Sequence, residues 1–335
     1  MVDISVVLVT WNTKKIVCEC LDSLRNCKGD LSLQIIVVDN ASSDGTPEAI
    51  AELYPEVQLI RNSRNLGFAG ANNIGIKESV GRHVCLVNSD VIVPPGCFEK
   101  MCAFMEQQPR IGLLGPLMRL TDGSIGPSCM RFPTVWNWFG RALALDTIFR
   151  RWGWFGGFLM TDFKYDRTQD VEVLTGWFWV VRREALDEVG LLDERFFMYG
   201  EDIEWSRRFH EYGWRVVFYP AAEALHYGGA SSANAPTRFY VEMQRANMQY
   251  VKKYHGRMGR IGFWLATGLN ETVRILGYAF AYLFRSNFRA AAAEKIKRSM
   301  ACLRWLTGSD RQSTERSVSR GGLVAHAGSE PVDVP

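Results

Sequence analysis

Three carboxylates fall within four residues at Glu201-Asp202-Ile203-Glu204, between the aromatic run Phe196-Phe197-Met198-Tyr199 and the pair Arg207-Arg208. At a helix start, Glu201 and Asp202 would meet the positive end of the macrodipole, with Ile203, Trp205 and Phe209 turned inward. A carboxylate on such a rim, beside a pocket built by other parts of the chain, can take a proton from a hydroxyl. Acidic helix starts are also common as plain dipole partners, so this stretch decides nothing alone. What adds weight is a set of polar residues upstream, each placed just after an apolar run: Thr10, Asp39, Asn62 to Asn65 and Asp90.

The elements that must position them follow a regular rhythm. Ile4 to Thr10 is a β-branched, apolar run suited to a buried parallel strand, and Lys14 to Asn26 has helical spacing. A second strand over Leu33 to Val38 leads into Asp39-Asn40-Ala41-Ser42-Ser43-Asp44-Gly45-Thr46, and Pro47 opens a helix to about Tyr54. Val57 to Ile60, a polar loop with a helix to Ser79, and His83 to Val87 complete a βαβαβαβ pattern. That pattern predicts a doubly wound, mostly parallel sheet, whose ligands bind beyond the carboxyl ends of its strands. Gly112 to Leu120 and Ile125 to Arg131 read as a hairpin turned at Asp122-Gly123. The Trp- and Phe-rich stretch over 132–168 reads as an aromatic insertion over the site.

Composition narrows the classes. With 335 residues, 47% hydrophobic and 22% charged, the chain is an ordinary globular protein of one large domain or two modest ones. GxGxxG after the first strand, GxxxxGK[ST], GxSxG and HExxH are all missing, which weighs against dinucleotide, P-loop, hydrolase-elbow and zinc-protease chemistry. The eight cysteines form no CxxC pair, as expected of reduced thiols. The start lacks a basic n-region and a long apolar segment, so no signal peptide is expected. The net charge of +3 conceals a section from Arg238 to Arg304 with thirteen Lys/Arg against three Glu. Within it, 261–306 is apolar and aromatic with interspersed basic residues. The expectation is a pair of cationic amphipathic helices on an anionic membrane, against packing on the domain or a dimer contact. The section after Thr307 reads as disordered.

Taken in order, Val9-Thr10-Trp11-Asn12, Val37 to Thr46, Asn65-Leu66-Gly67-Phe68-Ala69, Asn88-Ser89-Asp90, Phe196 to Asp202 and His226 resemble the inverting family 2 glycosyltransferases of GT-A fold. The likeness covers about residues 3–256 and is closest to the rhamnosyltransferase-like branch that builds bacterial cell-surface polysaccharides. It implies that Thr10, Asn12, Asp39, Arg64, Asn65, Gly67, Asn88, Ser89 and Asp90 bind a nucleotide sugar. It implies a divalent cation, Mn²⁺ or Mg²⁺, at Asp90 and His226, and Asp202 as the base assisted by Glu201, which orients it or raises its pKa. Asn88 stands where relatives often have a first Asp, and Ser89 replaces a common Pro, so the metal site carries less charge than usual. Gly176, Trp177, Trp179 and Arg207 are expected on the acceptor side.

The resulting expectation is an inverting, metal-dependent transferase moving L-rhamnose from dTDP-rhamnose to a lipid-linked or polysaccharide acceptor. It would work at the inner face of the cell membrane, with no nucleic-acid partner and homo-oligomers possible. A UDP-sugar donor (galactofuranose, N-acetylhexosamine or hexose) and a non-catalytic scaffold are the alternatives. The expected layout is a catalytic domain over 1–236 (1–120 for the donor, 121–236 for acceptor and base), a basic helical region over 237–306 and a tail over 307–335.

Overall fold

The apolar runs form strands because their β-branched residues can be covered on both faces. The structure, a computed structural model, describes residues 2–27, 29–149, 157–160, 163–228 and 235–308. Its first half alternates β1 (Ile4–Thr10), α1 (Lys14–Asn26), β2 (Leu33–Asp39), α2 (Thr46–Leu53), β3 (Gln58–Arg61), α3 (Gly67–Glu78) and β4 (His83–Asn88). Then follow β5 (Val91–Ile92), α4 (Cys97–Gln107), β6 (Ile111–Leu120), β7 (Cys129–Met130), α5 (Val135–Ala142) and α6 (Leu145–Ile148). The second half holds β8 (Gln169–Asp170), β9 (Val173–Leu174), β10 (Phe178–Arg182), α7 (Arg183–Val189), α8 (Glu201–Glu211) and β11 (Arg215–His226). Three long helices end the described chain: α9 (Pro236–Tyr254), α10 (Gly256–Phe284) and α11 (Arg289–Leu306).

The main sheet runs β3-β2-β1-β4-β10-β6-β11-β5, with β8 on β11. Strands β1 to β4 pair in parallel, and β6 pairs in parallel with β11. Between them β10 is antiparallel to both β4 and β6. Alternate residues of β1 feed two cores. Val6 and Leu8 pack with α1 and α4, while Val7 packs with α3, Trp179, Trp205 and Phe209. The sheet is therefore sandwiched between helices, and its strand ends β1, β2 and β4 open on one edge. Each of the eight cysteines is free.

The expected hairpin is only half right. The turn exists, with Leu120 N donating to Ser124 O at 2.9 Å, but Cys129–Met130 pairs with β9 instead of β6. Pro127 cannot donate to a continuing ladder, so the chain leaves the strand there. Parts of the aromatic stretch over 132–168, and the section after Gly308, lie outside the described residues. Among the described residues no helix is long and apolar enough to cross a membrane.

Candidate active site

The loops after β1 and β2 fasten each other. Asn12, at a φ of 52°, donates its backbone N–H to Ser42 Oγ at 2.9 Å, and its Oδ1 accepts from Ser43 N at 2.7 Å. Thr10 Oγ1 lies 2.8 Å from Thr13 Oγ1. Asp39 holds the turn through Oδ2, which accepts from Ser42 N at 3.0 Å, while its buried Oδ1 has no partner. Asp39 thus makes the local turn and still offers a free acceptor at the register of Thr10.

Asn40 is the organiser that the sequence reading passed over. Its Nδ2 donates to Asn65 Oδ1 and to Gly67 O, and its Oδ1 accepts from Leu66 N and Asn62 Nδ2. This fixes the start of α3. Gly67 sits there at a φ of +78°, and a Cβ would come within 2.1 Å of Phe197 O. Phe68 N donates to that same oxygen at 2.7 Å. The donor-side loop is thereby clamped to the loop that precedes Glu201.

Pairing of β5 with the end of β11 brings His226 to Asp90, with Nε2 3.2 Å from Oδ1. The imidazole lies against the Trp177 ring, centroids 4.6 Å apart, and its buried Nδ1 has no partner. Asn88, Ser89, Asp90 and His226 line a cavity of about 500 Å³ with Asn65, Gly67, Gly176 and Trp177. Among the described residues no three His, Cys, Asp or Glu side chains gather as a metal cluster. The protein therefore offers two ligands, a carboxylate and an imidazole, a set that fits Mn²⁺ while leaving positions for phosphate oxygens and water.

Helix α8 begins after Gly200, which is left-handed at a φ of 78°, and Tyr199 before it takes 68° despite its side chain. Glu201 is buried, and its Oε2 has no partner. Burial, then the adjacent Asp202 charge, pushes the Glu201 carboxyl well above its usual range. Asp202 is raised from 3.8 to about 6 by burial, against backbone N–H groups that pull it down; one of these, Ile203 N, donates to Oδ1 at 2.8 Å. Burial thus holds both neighbouring carboxyls above their ordinary range.

Asp202, Trp177 and Tyr199 also line a second cavity, about 340 Å³, walled by α5, α9 and α10. Two expected acceptor residues stand elsewhere. Trp179 is fully buried in the core, 5.4 Å from Trp205, because β10 turns it away from the strand-end edge; it only backs Gly176. Arg207 braces α8 to α9, donating to Tyr250 Oη at 3.0 Å under the Tyr254 ring. Arg64 is exposed and lines neither cavity. Glu204 is fully buried and accepts from Arg208, from Lys253 Nζ at 2.6 Å and from Tyr254 Oη at 3.1 Å.

Residues 5–190 match the family described as glycosyl transferase family 2. The chain belongs to that family. This family 2 glycosyltransferase is 31% identical over 281 residues, covering 79% of the chain and 88% of the relative, to an N-acetylglucosaminyl-diphospho-decaprenol L-rhamnosyltransferase of Mycobacterium tuberculosis. It is 25% identical to a dolichol-phosphate mannosyltransferase of Pyrococcus furiosus, covering 84% of the chain and 72% of the relative. A mannosyltransferase of Pyrobaculum calidifontis, solved with GDP-Man and Mn²⁺, superposes with a TM-score of 0.52 at 16% identity, over 90% of this chain and 86% of that one. The fold is the GT-A fold, and the mostly parallel sheet read from the sequence is its frame.

Proposed function

We propose that this glycosyltransferase moves L-rhamnose from dTDP-rhamnose to a lipid-linked sugar diphosphate, with inversion at the anomeric carbon, at the inner face of the cell membrane. The observation that carries the chemistry is the place of Asp202, where the two cavities meet. The cavity shared with Asp90 and His226 suits the donor, and the one under α9 and α10 suits the acceptor. The name of the mycobacterial relative supports the choice of sugar and acceptor class.

In this mechanism Asp202 takes the proton from the acceptor hydroxyl as that oxygen attacks the anomeric carbon, opposite the departing diphosphate. Its raised pKa of about 6 gives the base a useful proton affinity while leaving it ionised at neutral pH. Buried Glu201 packs beside Asp202 as its neighbour on α8, and the backbone N–H groups around Asp202 fix its direction. Asp90 and His226 would hold a divalent cation, which when bound neutralises charge on the departing diphosphate. Asp39 Oδ1 remains as an acceptor for the nucleoside base, and the loop fastened by Asn40 and Asn65 holds the donor's place.

Residues 1–236 form the catalytic unit in this reading, and 237–306 the membrane-contacting one. Helix α10 exposes Ile261, Leu265, Leu269, Leu276, Phe280, Leu283 and Phe284, among basic residues of α10 and α11. That pattern supports peripheral seating on an anionic bilayer. The test is transfer with dTDP-rhamnose against a panel of UDP-sugars, each with and without Mn²⁺, with the product's anomeric configuration read by NMR. Turnover with dTDP-rhamnose, cation-dependent and inverted, is expected. Turnover only with a UDP-sugar, or a retained configuration, refutes the donor or the mechanism respectively.

A further inference from the structure

The second cavity is furnished for an anion. Arg274 of α10 faces it and makes no hydrogen bond among the described residues; its buried Nε has no partner, and the nearest acid, Glu271 Oε2, is 3.9 Å away. Glu271 is already engaged through Oε1, which accepts from Tyr240 Oη at 2.6 Å and Asn270 Nδ2 at 2.9 Å. Arg141 of α5 and the amides Gln244 and Asn247 of α9 line the same cavity, and their side chains are also without hydrogen bonds among the described residues. Planar guanidinium groups match phosphate oxygens bidentately, and side-chain amides match sugar hydroxyls. Neither arginine faces the cavity of Asp90 and His226, so neither serves the donor's diphosphate there. Arg274 is 35% exposed, on the cavity side of α10 with Thr267 and Asn270.

Asp202, two side-chain amides and two guanidinium groups thus line one cavity, and a sugar with its diphosphate needs partners of these kinds. We propose that Arg274 and Arg141 bind the diphosphate of the acceptor in this cavity. This rests on the lipid-linked acceptor reading above and adds the residues that select for it.

Two acceptors separate the possibilities, assayed with the full-length enzyme and saturating donor: a sugar-diphospho-polyprenol, and the same sugar as its octyl glycoside, which keeps an apolar tail but has no phosphate. Arg274→Ala is expected to raise KM for the diphosphate acceptor by about 10- to 100-fold, the loss of one or two charge-assisted hydrogen bonds, with kcat nearly unchanged. KM for the octyl glycoside stays as in wild type, Arg274→Lys recovers part of the loss, and Arg141→Ala gives a smaller change of the same kind. An unchanged KM in both alanine variants, or equal losses with both acceptors, overturns the role of the arginines and leaves the acceptor class standing. A wild-type enzyme that uses the glycoside but never the diphosphate acceptor overturns the acceptor reading itself.

Discussion

Polar groups at the strand ends and apolar groups on α10 receive opposite treatment. Around the first cavity Thr10, Asn12, Asn40 and Asn65 are held by side-chain or backbone partners, and the chain spends a glycine at Gly67 to bring two loops into contact. In the helical region α10 packs one side on α11 and α5 and leaves a row of large apolar side chains bare, Leu276 and Leu283 each 66% exposed. The first region fixes its loops within the chain and leaves only a few buried polar atoms, Asp39 Oδ1 and His226 Nδ1 among them, without a partner. The second leaves an apolar row without cover among the described residues, the feature on which the proposed seating on a bilayer rests.

The sharpest way to break that contrast is at its meeting point. Asp202→Asn is expected to lower kcat by about 10³-fold while leaving nucleotide affinity within about threefold, measured by turnover and calorimetric titration. Near-normal turnover would remove Asp202 as the base. Next, Leu276→Glu with Phe280→Glu is expected to cut partitioning onto anionic vesicles by about 10²-fold in sedimentation, since two apolar side chains lose their burial. Turnover with a short, soluble acceptor stays near wild type. His226→Ala should raise the Mn²⁺ concentration for half-maximal activity by about tenfold, while the fold, read by circular dichroism, is unchanged. If the Mn²⁺ response does not move, His226 is only a partner of Asp90.

The smallest expected effects concern protons. The kcat/KM profile should fall as pH drops through about 6, where Asp202 becomes protonated. Because the folded pKa is raised above 3.8, the folded state holds this proton more tightly than the unfolded chain. The stability it adds is complete below pH 3.8 and is lost as pH rises through about 6. Asp202→Asn should therefore melt higher than wild type at pH 7.5, by on the order of 2 °C, with the difference shrinking toward pH 4. A variant that melts lower at pH 7.5 would show that Asp202 is not under that burial cost.

Much of the strand-end region is legible in the sequence, because an apolar run with a polar residue at its end marks both a buried strand and what projects from it. Asp39 and Asp90 were found that way, Asp202 by the acidic cluster at a helix start, and His226 by resemblance. Direction is another matter. Phe178–Arg182 is equally apolar whether it runs with or against its neighbours, so the antiparallel β10 is invisible until paired. The same alternation hid Trp179, which enters the core while Trp177 faces both cavities. Asn40 looked like a turn residue, and nothing in a Tyr at position 199 announces a positive φ. The second cavity was the hardest to foresee. Its walls come from α5, α9 and α10, and along a single helix an inward Gln244 or Arg274 is indistinguishable from one facing water.

The buried Glu204 has one further implication. Two residues beyond Asp202, it is gripped by Lys253 and Tyr254 in the last turn of α9, as well as by Arg208 on its own helix. Asp202, the proposed proton acceptor, is therefore carried on a beam bolted to the helical platform, not hung from the sheet by a slack tether. If that platform rests on lipid as proposed, the height at which bonds are made above the bilayer would be set by a rigid strut inside the protein.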